Sequence, residues 1–185
     1  MGWEESMFAV FDDLEQQAAG LHLSERDAEV ADLTLAEYSR ISLASRLHAS
    51  LDRELRVRLV GGLQVQGRLA RLGEDWFLLV GPSAEWIVRH QGVAALDGLS
   101  PRAEAEETWS VVDRLPLRAV LRGLAGGGDR CLVHGVDDHR VQGRVSRVGR
   151  DFFELVVGAG REGAVQVVPV ASVAAIQGAV QGRTE

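Results

Sequence analysis

The chain after residue 54 is dominated by short stretches in which hydrophobic and polar residues alternate. From Leu55 to Leu59 every second residue is apolar and the residues between are arginines, a period of two that predicts a strand with one buried face. Glycines and other turn residues separate the stretches, and glycine accepts the positive φ of tight turns. The strands predicted for this first region are 55–60, 65–72, 76–80, 86–88 and 93–96.

The first 41 residues have a helical period instead. Trp3, Met7, Phe11 and Leu14 recur every three or four residues among acids and glutamines, which predicts an amphipathic helical arm. Two roles are open for its apolar face. It either packs against the rest of the chain as ordinary core, or the face formed by Trp3, Met7 and Phe11 docks into a groove of a partner protein.

The region of alternating residues contains an internal repeat. Residues 65–77 return 76 positions later as 141–153, and both copies contain the pattern Gly-Arg-x-x-Arg-x-Gly-x-Asp. A second block, 93–98, is echoed in the same order by 173–178. Two copies indicate a pair of domains, because a solenoid needs three or more units. Each copy has a glycine within its second strand, which indicates a bulge or a close approach of the facing backbone.

Each copy resembles the Sm-like fold. The resemblance is carried by the helical segments 43–51 and 117–124, by Val57-x-Leu59-x-x-Gly62, by Val65-x-Gly67-x-Leu69, and by Ile87-Val88-Arg89-His90. It implies an α+β, mainly β fold, in which a helical N-terminal arm precedes two tandem small Sm/SH3-like β-barrels, each with a leading helix. The expected boundaries are 1–41 for the arm, 42–100 for the first barrel, 101–115 for an acidic linker and 116–185 for the second barrel.

The resemblance is less informative about ligands. Sm-like proteins that bind RNA use an Asp or Asn pair between the second and third strands and a basic pair in the last loop. Arg89 and His90 stand at the place of the basic pair in the first copy. The second copy has Pro169-Val170 there, and Phe77 stands where the third strand of the RNA-binding proteins has asparagine.

The layout of the whole chain is also similar to an uncharacterised protein family common in actinobacteria, whose members are often labelled Fis-type regulators. The residues that carry this likeness are Trp3, 11–15, 29–32 and the two Gly-Arg-x-x-Arg-x-Gly-x-Asp blocks. It brings no catalytic residue with it, and residues 116–185 show no helix-turn-helix pattern.

Charge is unevenly distributed along the chain, whose formal net charge is −7. Residues 1–50 carry ten acids and three arginines, whereas residues 116–185 carry seven acids and nine arginines. Phosphate binding needs a concentrated positive patch, which only the C-terminal half could supply. No run of 18 apolar residues occurs and the N-terminus is acidic, so we expect neither a membrane span nor a signal peptide, and a cytoplasmic location.

The sequence assembles no catalytic, cofactor or metal site. None of the five histidines lies in a nucleophile motif, and His134 and His139 are five residues apart, where a helical zinc pair needs four. Cys131 is the only cysteine, which excludes an internal disulfide and a multi-cysteine zinc site. We therefore expect that the protein is not an enzyme and that it uses no cofactor.

The repeated arginines are the remaining candidates for binding. Arg68 and Arg144 point outward if their apolar neighbours point inward, and Arg147 lies on the same repeated block. Together with Trp76 and Phe152 they could form a shared surface for phosphate or a carboxylate-bearing protein. The plainer interpretation of the block is local: Arg71 pairs with Asp75 across the turn, or the aspartate caps that turn.

These patterns favour a binding or adaptor protein that acts on another protein. The alternative is a regulatory protein that binds RNA or DNA through the arginine-bearing faces. The candidate contact residues are Trp3, Met7, Phe11, Arg68, Arg89, His90, Arg144 and Arg147. We expect a monomer or a homodimer in preference to a ring, because two fused barrels can pair their own sheet edges.

Overall fold

The alternating stretches assemble into one antiparallel sheet. The computed structural model describes residues 38–158 and 163–179, and the chain from Leu43 onward belongs to a single compact unit. The predicted arm over 1–41, with Trp3, Met7 and Phe11, falls almost entirely outside the described residues. The fold below therefore concerns the repeat region.

The described residues form ten strands, two α-helices and four single-turn 3₁₀ segments. The helices are α1 (Leu43–His48) and α2 (Leu117–Gly127). The strands are β1 (Glu54–Leu59), β2 (Gln64–Leu72), β3 (Trp76–Val80), β4 (Ala84–Arg89), β5 (Val93–Asp97), β6 (Arg130–Gly135), β7 (Arg140–Val148), β8 (Phe152–Val157), β9 (Ala164–Pro169) and β10 (Val173–Ala179). The 3₁₀ segments are His90–Gly92, Glu106–Thr108, Val112–Arg114 and Val170–Ser172. The expected class, mainly β with few helices, is confirmed. None of the helices described is long and apolar enough to cross a membrane.

The strand order displays the repeat. Along the sheet the strands run β5-β1-β2-β3-β4-β10-β6-β7-β8-β9, so the first five and the last five have the same internal order. Both halves also carry a register shift at the same place in their second strand, at Leu69/Arg71 in one and Val145/Arg147 in the other. The duplicated sequence therefore folds twice into the same arrangement of strands.

Alternation in the sequence becomes alternation in burial. In β1 the residues are exposed and buried by turns, because successive side chains of a strand point to opposite faces. Two apolar clusters result. The first contains Leu47, Leu55, Val57, Leu59, Val65, Leu69, Leu72, Phe77, Leu79, Val88 and Ala175. The second contains Trp76, Leu117, Leu121, Cys131, Val133, Val145, Phe153, Leu155, Val168, Val173 and Ile176.

Each apolar cluster contains a residue from the other half of the chain. Trp76 belongs to the first half by sequence but packs in the second cluster, and Ala175 of the second half packs in the first. The cause is that β3 and β4 contribute one face to each cluster: Phe77 and Leu79 face the first, whereas Trp76 and Leu78 face the second. Neither half therefore has a complete apolar core without the other.

The glycine repeated in the second strand of each half lies against the facing backbone. A Cβ at Gly67 would come within 2.8 Å of the Val80 carbonyl, and one at Gly143 within 2.7 Å of the Val156 oxygen. These are the close approaches that the sequence pattern predicts.

We expect Gly67→Ala to lower the free energy of unfolding by about 1–3 kcal/mol, because the added methyl group meets backbone atoms that cannot rotate away. Gly123→Ala is the matched control. Its Cβ would meet nothing within 4 Å, and alanine in a helix interior is favoured over glycine by about 0.5–1 kcal/mol. Urea denaturation measures both; equal effects of the two variants would contradict the assigned approach.

Candidate functional site

The junction between the halves is an antiparallel pairing of β4 with β10. Val88 lies opposite Ala175, Ile87 opposite Ile176, and Trp86 opposite Gln177. The ring of Trp86 also lies 5.3 Å from that of His134 on β6, and His134 Nε2 is 3.4 Å from the Gln177 side-chain oxygen. Continuous strand pairing and side-chain contacts thus cross the boundary between the two copies.

Asp75, at the turn of the first repeated block, ties the two halves together. Its carboxylate accepts a hydrogen bond from Arg89 Nη2 at 3.0 Å and another from the Leu117 amide at 2.9 Å. Leu117 begins α2 directly after Pro116, which provides no side-chain cap of its own, so Asp75 satisfies one of the helix's free amides from a distant part of the chain. Asp75 therefore caps a helix and pairs with Arg89, whereas the sequence predicted either a pair with Arg71 or a cap of the local turn.

Arg89 is directed inward at this junction. The residue is 8% exposed, and besides Asp75 it donates from Nη1 to the carbonyl oxygen of Val170 in the second half. The side-chain amide of Gln91 also contacts the second half, because its Nε2 donates a hydrogen bond to the Ala171 carbonyl oxygen at 2.9 Å. The resemblance to the Sm-like fold places Arg89 in a ligand-binding loop, whereas in this structure Arg89 joins the two halves.

His90 lies next to Arg89 and also faces inward. Its ring is tilted against that of Phe77 at a centroid distance of 5.9 Å, and Nε2 is buried with no hydrogen-bond partner in the described part of the chain. Burial lowers the pKa of His90 below its usual 6.5, against the opposing attraction of Asp75. The structure brings Arg89 and His90 together, with Arg89 buried and His90 partly buried.

The outward arginines lie among acids. Arg68 Nη1 is 2.6 Å from Asp52 Oδ1, with both side chains largely exposed. A groove of about 630 Å³ runs beside Arg68 and is lined by Glu54 as well as by Gln64 and Gln66. The local charge is therefore mixed.

In the second half one outward arginine lies near an acid, whereas another lies opposite a second arginine. Arg147 is 81% exposed at its side chain and lies 3.9 Å from Glu154. Arg144 lies opposite Arg130 in the β6–β7 pair, and Arg130 donates to the Gly158 oxygen. Arg68 and Arg144 occupy equivalent places in the two halves and do not converge on one site.

An apolar strip is exposed on the last two strands of the second half. Opposed residues of β8 and β9 share a face, and on the outer face the pairs are Phe152 with Pro169, Glu154 with Val167, and Val156 with Val165. Phe152 is 38% exposed, Val167 58% and Val165 59%. We call this surface the β8–β9 face. It lies on the strand at the end of the sheet, where main-chain groups are open to pairing.

Sequence reasoning missed the β8–β9 face as a candidate site. The composition of β9 indicated the opposite, since Ala164–Pro169 contains no charged residue, whereas edge strands usually carry charges that prevent pairing. Whether a strand lies at an edge depends on the sheet order, which the local pattern does not contain.

The described residues offer no site for metal-based or thiol chemistry. Within residues 38–158 and 163–179 no group of three or more histidines, cysteines and carboxylates is placed to hold a metal ion. Cys131 is buried, and burial raises the pKa of its thiol, which disfavours the thiolate that acts as a nucleophile.

No model of a known protein family matches the chain, and no curated protein is significantly similar to it. The arguments about function therefore depend on the geometry above.

We expect Asp75→Ala to lower the free energy of unfolding by about 3 kcal/mol, because it leaves Arg89 buried without its carboxylate and removes the cap of α2. Glu74→Ala is the matched control, since it removes the same charge from an exposed neighbouring side chain, and we expect it to change stability by less than about 0.5 kcal/mol. Chemical denaturation of both variants measures the difference. Equal losses would show that Asp75 is not a link between the halves.

Stability should fall as the pH drops below about 6.5, because burial lowers the pKa of His48, His90 and His134 in the folded chain. In this range the unfolded chain binds protons that the folded chain does not, so protonation favours unfolding. We expect His90→Leu to reduce the loss of unfolding free energy between about pH 7.5 and 5.5. An unchanged loss in the variant, measured by urea denaturation at both pH values, would contradict the burial of a neutral His90.

Proposed function

We propose that the chain is a non-enzymatic binding protein built from two small barrels of the Sm/SH3-like kind, fused into one body. Three observations support the two-barrel interpretation. The halves share one strand order, each is preceded by a short helix, and each surrounds its own apolar cluster. Five short, strongly bent strands around one apolar centre are typical of such barrels.

The exposed β8–β9 face is the observation that carries the proposed function. In the first half Trp76 and Ile87 occupy the places of Phe152 and Val167, and both pack in the second apolar cluster. The counterpart of Val165 is Glu85. In the second half Phe152, Val165 and Val167 have no such cover among the described residues. A contiguous apolar surface beside an open strand edge is typical of sites where a protein partner adds a strand.

The electrostatics favour a protein partner over a nucleic acid. Arg89 is buried in the junction, Arg68 is paired with Asp52, and Arg147 lies near Glu154. Phosphate-backbone binding requires several unpaired basic residues on one surface. The exposed side chain of Arg147 keeps nucleic acid as the second candidate, with Arg144 and Arg147 as its contacts.

The test is capture of partners from cell lysate on the immobilised full-length chain, with and without nuclease. We expect a protein partner that survives nuclease and is lost on Val167→Lys, because the charge disrupts the apolar strip. Lysine is chosen because it would not weaken binding to nucleic acid. Val111→Lys is the matched control, since Val111 is 83% exposed and lies outside the sheet, and it should retain the partner.

A different result of the same capture experiment would favour nucleic-acid binding. Recovery of nucleic acid alone, unaffected by Val167→Lys and lost on Arg144→Ala plus Arg147→Ala, would replace the proposed function by the second candidate. Binding of nucleic acid through those arginines should also weaken steeply with added salt.

A further inference from the structure

The two ends of the sheet are counterparts of the strands that pair at its centre. The end strands are β5 and β9. In the repeat β9 corresponds to β4, and β5 corresponds to β10. Since β4 and β10 pair with each other inside the chain, one end of the sheet carries the equivalent of β4 and the other end carries the equivalent of β10.

The apolar side chains at the β9 end match that relation. Val167 occupies the place of Ile87, which is opposite Ile176 and packs in the second cluster. Phe152 occupies the place of Trp76, which is 6% exposed because α2 and β10 cover it, whereas Phe152 is 38% exposed. The β8–β9 face is therefore a surface of the kind that a second half covers within this chain.

At the β5 end of the sheet, residues are more exposed than their counterparts on β10 and α2. Ala174 on β10 is 1% exposed, whereas its counterpart Ala94 on β5 is exposed; Ile176 is 1% exposed, whereas its counterpart Leu96 is half-buried. The leading helices agree with this, since Leu117 at the start of α2 is 1% exposed and Leu43 at the start of α1 is 41% exposed. Buried residues of β10 and α2 at the junction thus have more exposed counterparts, within the described part of the chain, at the β5 end of the sheet.

We propose that the partner of the β8–β9 face is a second copy of this chain, which adds its β5 strand to β9 head to tail. The register follows from the junction, where Val88 pairs with Ala175 and Ile87 with Ile176. Shifted by the repeat, Val168 pairs with Ala95 of the second copy and Val167 with its Leu96. This inference rests on the proposed function, because it names the protein that the binding surface takes.

Continuity with the internal junction selects a second copy over other occupants. A second copy supplies an antiparallel strand, an apolar residue opposite Val167, and a leading helix for the β8–β9 face, all in the geometry of the existing contact. Such a contact joins different surfaces of the two chains, so it closes into a small assembly when the rotation between copies permits and extends into a filament when it does not.

Two replacements make the new junction weaker than the internal one. A Cβ at Gly92 would lie 2.5 Å from the Ala174 oxygen, and Ser172 stands at the place of Gly92 in the second half. Pro169 replaces Arg89, so the link to the turn aspartate and to the neighbouring loop is missing. The association should therefore be reversible, whereas the internal junction is part of the fold.

The first experiment measures the mass of the full-length chain over about 1–100 μM by size-exclusion chromatography with light scattering. The monomer is 20.0 kDa. We expect a mass of two or more chains at the upper concentrations, loss of association on Val167→Lys, and retention on Val111→Lys. Ser172→Gly should tighten association by about tenfold, since it relieves a contact worth roughly 1.4 kcal/mol or more.

The second experiment tests the register by cross-linking, with Cys131→Ala as background. Opposed positions of paired strands lie at a separation that a disulfide can bridge. A mixture of Val167→Cys and Leu96→Cys chains should form the mixed disulfide-linked dimer under oxidising conditions. Val111→Cys mixed with Leu96→Cys is the control and should not.

Each outcome decides the proposal. A monomer at every concentration would overturn the proposal. Preferential disulfide linkage of the Val167→Cys chain to itself would also overturn it, because two β9 strands would then pair with each other. A monomer that still captures another protein, with loss on Val167→Lys, would leave the proposed function intact and remove only the second copy as partner. A mass that is unaffected by Val167→Lys would place self-association on another surface.

Discussion

The pairing of β4 with β10 is the interaction on which the rest of the structure depends. It turns two repeated halves into one sheet, and it lets Trp76 enter the second apolar cluster while Ala175 enters the first. The link from Asp75 to Arg89 and to the first amide of α2 fixes the same boundary from outside the strands. Each half therefore completes the core of the other.

That junction also explains why the two ends of the sheet differ from its centre. In the first copy, one surface is covered by the second copy. The equivalent surface of the second copy has no such neighbour, and in the first copy the strand equivalent to the covering strand keeps an open edge. Among the described residues the exposed surface carries Phe152, Val165 and Val167, and the strand with one open edge at the other end of the sheet is β5. The two copies differ at the junction, where Pro169 stands at the place of Arg89 and Ser172 at the place of Gly92.

Much of the strand content could be predicted from sequence, because alternation in stretches such as 55–59 directly reports which side of a strand is buried. The roles of single residues could not. Asp75 and Arg89 are 14 positions apart and Asp75 and Leu117 are 42 apart, and only the folded chain brings them together. For the same reason Arg89 and His90 resembled a ligand-binding pair, although Arg89 is buried and His90 is partly buried. The sequence of β9 gave no sign that the strand lies at an edge until the order of the sheet was known.

Hydrogen–deuterium exchange on the full-length chain tests this account most directly, because exchange rates report which strands are paired at their edges. In dilute protein we expect slow exchange for β4 and β10, as for interior strands, and faster exchange for β9. As the concentration rises, β9 and β5 should gain protection together while β4 and β10 stay unchanged. Exchange of β4 and β10 as fast as that of β9 in the dilute protein would contradict the account, since the two halves would then not share one sheet.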